Sequence, residues 1–219
     1  MEDKDILIEN LEDLIREKRF YDVLIKSLKT IKPSKFRIII ILIIAGILFF
    51  PIKNLVIENE TIQNVLEFID TSTDIFLAIF GITFTGYALF QALIGTNALE
   101  VMLKRKIENY STLKTYNLYF FILSISYIVI ITCNFILKII FKSGINVSIK
   151  DYLGLSQYNI LIVTFILIYL CINVYFILET KSFILNIYYC FNMSVFSEGI
   201  EIIKNKPVEE NEKNSKETS

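Results

Sequence analysis

IFLAIFGITFTGYALFQALIG, residues 75–95, decides the fold class. It runs for about twenty residues without a charge, enough for a helix to cross a hydrocarbon layer of roughly 30 Å. Small residues recur through it at spacings of three and four, so Ala78, Gly81, Thr85, Ala88, Ala92 and Gly95 share one helical face. Such a stripe lets helix backbones approach closely where lipid removes the usual hydrophobic drive between helices. Phe80, Phe84, Tyr87 and Gln91 lie on the opposite side. Two readings of the stripe stay open: packing inside one chain, or contact between copies at a subunit interface or around a pore.

Three more apolar runs flank this one, and the pattern predicts spans at 38–52, 75–94, 118–137 and 158–178. With 54% hydrophobic residues concentrated in those runs and the charges between them, the chain is expected to be an all-α integral membrane protein, a four-span transmembrane helical bundle over 36–178. Fifteen residues make the first span short, about 22 Å, unless Arg37 and Lys53 snorkel or the helix continues toward Ile57. It reads as an uncleaved anchor, since no A-x-A site follows it. Residues 53–74 are expected as an acidic loop, with Thr71 or Ser72 capping the second span. The stretches 96–116 and 138–157 are likewise expected as loops.

The distribution of bases orients the bundle. The N-terminal segment, the 96–116 stretch and everything after Leu178 hold eighteen Lys and Arg; the two other connections hold four, namely Lys53, Lys138, Lys142 and Lys150. By the positive-inside rule both termini are cytoplasmic, in agreement with an even number of spans in a cell membrane. Heavy use of Ile, Asn, Lys and Phe suggests an AT-rich, bacterial genome.

Outside the spans, residues 1–35 form a charged segment expected to be a cytoplasmic amphipathic helix with a basic juxtamembrane end. Leu7, Leu11, Leu14, Tyr21, Ile25 and Leu28 follow a heptad spacing, which must bury against a second copy, the bundle, the lipid surface or a soluble protein. The apolar stretch within 179–203, SFILNIYYCFNMSVF, is expected to continue the last span or turn along the interface. The tail 204–219 is polar, without hydrophobic anchors, and expected to be disordered.

Function is less legible. With no histidine, Ser-His-Asp, Cys-His and HExxH sites are excluded, and Cys133, Cys171 and Cys190 lack metal-ligand spacing. No enzyme activity, cofactor, metal or direct nucleic-acid binding is expected. No acid or base falls within the predicted spans, which argues against proton relays and voltage sensors. Gln91, Asn134 and Asn173 are the strongest polar groups at membrane depth, with Gln91 and Asn173 placed at similar depth and Asn134 in the other half. They serve either as interhelical hydrogen bonds or as the lining of a polar path.

The layout, four short spans with charged cytoplasmic ends, resembles membrane components of bacterial anti-phage and CRISPR-accessory systems and of toxin-immunity pairs. That likeness is architectural. Two functions follow as expectations: a homo-oligomeric, pore-forming or membrane-perturbing effector controlled through residues 1–35, or a non-conducting anchor or immunity subunit that docks a soluble partner there.

Overall fold

A computed structural model describes residues 2–17, 19–31, 33–57, 61–107 and 109–205. Among them the chain forms eight helices and one two-residue β-hairpin: α1 Glu2–Leu14, α2 Phe20–Leu28, α3 Lys35–Ile57, α4 Thr61–Leu93, α5 Thr96–Lys104, β1 Lys106–Ile107, β2 Tyr110–Ser111, α6 Thr112–Lys142, α7 Ile145–Leu153 and α8 Leu155–Asn205. Four of these, α3, α4, α6 and α8, are long and apolar enough to cross a membrane. The strands pair antiparallel, Lys106 opposite Ser111 and Ile107 opposite Tyr110.

Contacts fix how the long helices align. Ser72 of α4 bonds Asn173 of α8, and Gly95, two residues past the end of α4, bonds Ser194 farther along α8, so the two run parallel. Arg37 of α3 reaches Glu179, whereas Ile52 and Val56 cluster with Tyr158 and Ile162, so α3 runs against α8. Asn134 meets Ser72 and Asn117 meets Tyr87, so α6 runs against α4. One end of the bundle is therefore closed by α1, α2, α5 and the hairpin, the other by α7.

Three apolar clusters hold it. Near α7, Ile52, Val65, Ile69 and Ile166 join α3, α4 and α8. In the middle, Phe76, Leu123, Tyr127 and Phe183 join α4, α6 and α8. At the α5 end, Phe90, Met102, Leu103 and Cys190 are covered by Leu7 and Leu14 of α1.

Several expected boundaries move. Helix α4 begins at Thr61, so most of the expected acidic loop is helical and Thr71 and Ser72 lie inside the helix rather than at its cap. The reason is the buried face: Val65, Ile69, Ser72, Phe76, Thr83 and Phe90 keep helical spacing straight across the change from acidic to apolar sequence. The first span continues to Ile57, and the third covers Thr112–Lys142, started by Ser111, whose hydroxyl accepts from the Lys114 N–H at 3.3 Å. The 96–116 stretch folds as α5 and the hairpin, and the 138–157 stretch contains α7 between Gly144 and Gly154, both at φ +79°. That left-handed backbone is strained for residues with a Cβ.

Helix α8 is uninterrupted over 51 residues, about 76 Å. Its segment from 179 onward thus prolongs the last apolar run without a turn. Of the tail 204–219, expected to be disordered, Lys204 and Asn205 belong to α8, and 206–219 lie outside the described residues. The N-terminal segment is two helices, not one, with a break after Leu14. Its heptad divides accordingly: Leu7 and Leu14 pack inward, while Leu11, Tyr21, Ile25 and Leu28 are exposed. The buried positions are polar, Asn10 and Ser27, which an apolar heptad reading passes over.

Candidate functional site

Polar side chains inside the bundle gather at two levels. At the first, Asn134 is 1% exposed, donates to Ser72 Oγ (3.3 Å) and Thr73 Oγ1 (3.1 Å), and accepts from the Tyr169 hydroxyl (3.0 Å). Ser72 in turn donates to Asn173 Oδ1 at 2.8 Å, and Asn173 Nδ2 donates to the Tyr169 carbonyl at 2.8 Å. Each donor finds an acceptor, as burial demands. The network ties α4, α6 and α8 in one layer and brings Asn134 and Asn173 together. Gln91 is not part of it: nineteen residues of α4 put it about 28 Å from Ser72, exposed, near the α5 end. Gln91 and Asn173, expected at similar depth with Asn134 in the other half, are thus at different levels, and it is Asn134 that shares the level of Asn173.

At the second level Glu179, 1% exposed, forms an ion pair with Arg37 and accepts from the Tyr119 hydroxyl at 2.5 Å. Arg37 also donates to Ser182 Oγ at 2.8 Å, and Thr180 and Tyr127 hydroxyls meet at 2.5 Å. This pair fastens the start of α3 to α8. Sequence reasoning missed it because Glu179 stands one residue past the expected end of the fourth span. A signal was present: Glu179 is the only acid between Leu155 and Phe196.

A third polar cluster lies at the α5 end, outside the four long helices except for Lys114. Its buried Nζ contacts Asp13 Oδ2 (2.9 Å), the Asp13 carbonyl (2.6 Å) and Glu17 Oε1 (2.9 Å). Lys26 pairs with the same Glu17, and Asn10 Nδ2 donates to the Leu103 carbonyl at 2.8 Å. Burial pushes the Glu17 carboxyl up, but bonds from Lys114 and Lys26 outweigh it and hold it below its ordinary value. The Glu17 bond raises Lys26 against the opposing effect of burial. The N-terminal helices are thus clamped to α5 and α6, with Ile8, Leu11, Ile15, Tyr21 and Ile25 left on the outside.

The small-residue stripe faces outward from the bundle over most of its length. Ala78, Gly81, Thr85, Ala88 and Ala92 are exposed, and a Cβ built on Gly81 meets nothing within 4 Å. Gly95, half-buried, meets α8, its N–H donating to Ser194 Oγ at 3.3 Å. The glycine that does allow close approach is Gly86, off the stripe, where a Cβ would stand 2.9 Å from Ile187 Cδ1. Traced backwards at the same spacing, the exposed face continues through Asp74, Asp70, Glu67 and Gln63. Lys138 of α6 reaches Asp70 at 2.6 Å.

The level of these acids matters. Ala45 of α3 packs beside Cys171 and Val174 of α8, the turn that carries Asn173, and Asn173 is bonded to Ser72 between Asp70 and Asp74. At that height α3 turns outward nothing but apolar bulk, with Leu42, Ile43 and Ile47 exposed by 64%, 56% and 68%. One side of the bundle is oily where another side is acidic. Comparison with family models, curated proteins and solved structures finds no match for this chain.

Proposed function

We propose that the protein is a small membrane effector that assembles from several copies, with the exposed face of α4 turned to a polar passage between them. The observation that carries this reading is the conflict of levels just described. A bilayer centred on the apolar surface of α3 places Glu67, Asp70 and Asp74 at membrane depth. Lys138 offsets Asp70, but Glu67 and Asp74 make no ion pair among the described residues, and each carboxylate facing hydrocarbon there would cost about 2.5–3.5 kcal/mol. A water-filled lumen between copies removes that cost, as in other pores lined by acidic side chains. The small half of the face, Ala78 to Ala92, lets neighbouring α4 helices close upon one another. The base asymmetry supports cytoplasmic termini, which would put the clamped N-terminal helices at the inner mouth as the control element.

Reconstitution in planar bilayers tests the reading. A cation-preferring conductance is expected, with the preference weakened in Asp70→Asn/Asp74→Asn. A protein that stays monomeric in nanodiscs and never conducts contradicts it.

A second reading is favoured by a different observation, the apolar residues left outside on α1 and α2. There the protein is a non-conducting anchor or immunity subunit, and a soluble partner covers Leu11, Tyr21 and Ile25. Replacing those three by Ser should release such a partner while the protein remains inserted.

A further inference from the structure

We infer that the groove between α6 and α8 at the α5 end binds an amphipathic phosphate-bearing small molecule that arrives from water. The groove exists because α3 starts late. From Lys35 it covers α8 only from about Glu179 toward α7, so the flank of α8 beyond Glu179 is left without it. Helix α2 and the hairpin roof part of the space and leave two adjoining cavities of about 560 and 550 Å³. Each lies within the range of small-molecule sites, about 300–1,000 Å³.

The two cavities differ in chemistry. The first is lined by Lys26, Lys29 and Arg37 against a single carboxylate, Glu179, which Arg37 already neutralises. Lys26 of α2 is paired with Glu17, while Lys29, three residues on at the end of that helix, makes no ion pair among the described residues. Arg37, a quarter exposed, adds a guanidinium of the geometry that suits phosphate oxygens. The second cavity is mostly apolar, walled by Val101, Met102, Cys190, Met193 and Phe196, with Arg105, Thr112 and Asn192 as its polar members. Ile107, Tyr116 and Tyr189 belong to both, so a ligand with an anionic head and a flat apolar body would pass between tyrosine rings from one into the other.

The order of the two halves selects the source. The cationic half is level with the start of α3, and the apolar half lies farther along α8, away from α3. A lipid seated in a bilayer centred on α3 would send its chains the other way. The ligand therefore enters from the α5 end. This inference stands apart from conduction, since it can hold for a protein that passes no ions.

The test uses the full chain in phosphatidylcholine nanodiscs with 1-naphthyl phosphate as probe, read by naphthyl fluorescence. Saturable binding is expected. Lys29→Gln should weaken it about tenfold, the weight of one hydrogen bond to a charged group. Met193→Asp should weaken the naphthyl compound while leaving competition by inorganic phosphate unchanged. Lys4→Gln on α1 should have no effect, and helicity by circular dichroism checks that each variant is folded. Absence of saturable binding by the folded protein overturns the inference, as does equal weakening by Lys4→Gln, which would mean diffuse charge attraction. Loss of probe binding when phosphatidylglycerol is added to the nanodisc assigns the groove to a bilayer lipid and overturns the aqueous source.

Discussion

Removing Arg37 and removing Glu179 should not be equivalent, and the difference measures what holds α3 to the bundle. Glu179 is 1% exposed and Arg37 is 25% exposed. In Arg37→Ala a carboxylate is stranded in the interior with the Tyr119 hydroxyl as its remaining strong partner. Breaking a buried pair in this way costs about 3–5 kcal/mol. In Glu179→Gln the side-chain volume and an acceptor for Tyr119 persist, and Arg37 retains its contact with Ser182 and access to solvent. The loss there should be about 1–2 kcal/mol, close to one charge-assisted bond. The double replacement Arg37→Met/Glu179→Leu strands no charge and should recover much of the Arg37→Ala loss. Reversible unfolding in mixed micelles, followed by circular dichroism, gives all three values. An Arg37→Ala protein within about 1 kcal/mol of the parent would show that the pair does not fasten α3, and a double variant weaker than Arg37→Ala would refute the charge-stranding argument.

Other outcomes follow from the same contacts. Asn134→Leu should destabilise by about 1–3 kcal/mol, because Ser72, Thr73 and Tyr169 all lose a buried partner; mixed-micelle unfolding checks it. Gly86→Leu should cost about 1–3 kcal/mol by overpacking against Ile187 and Phe183, whereas Gly81→Leu should fold normally and alter only the assembled mass in nanodiscs. The N-terminal clamp should depend on pH from both sides. Glu17 titrates below its ordinary 4.5 in the folded protein, so its contribution is complete above 4.5 and lost as pH falls through the lower folded value. Lys26 titrates above its ordinary 10.5, so its contribution is complete below 10.5 and lost as pH rises through the higher folded value. Hydrogen exchange across residues 4–17 should accordingly be slowest between those limits.

Composition located the four long helices because transfer into an apolar phase is a sum over residues, and a sum survives ignorance of neighbours. What it missed are properties of contact. Helix α4 runs into acidic sequence because one buried stripe persists from Val65 to Phe90, while the charges lie on another face. Asn10 and Ser27 are buried since one finds a carbonyl and the other is small, neither of which hydrophobic spacing can express. The small residues on the 75–95 stretch were legible as one face, but which of its glycines meets another helix was not. Gly81 and Gly86 differ only in what stands opposite. Asn134 and Asn173 were both singled out, and their meeting through Ser72 depends on a register between helices that depth counting along each span does not supply.

The most direct test of the central claim compares two cysteines at one height. Cys133, Cys171 and Cys190 are first replaced by Ala; then Asp74→Cys on α4 and Ile43→Cys on α3 are each exposed, in sealed vesicles, to a membrane-impermeant thiol reagent. A water-facing α4 within an assembly predicts rapid modification at 74 and protection at 43. Protection at both positions would put the α4 face against lipid or protein and contradict the account.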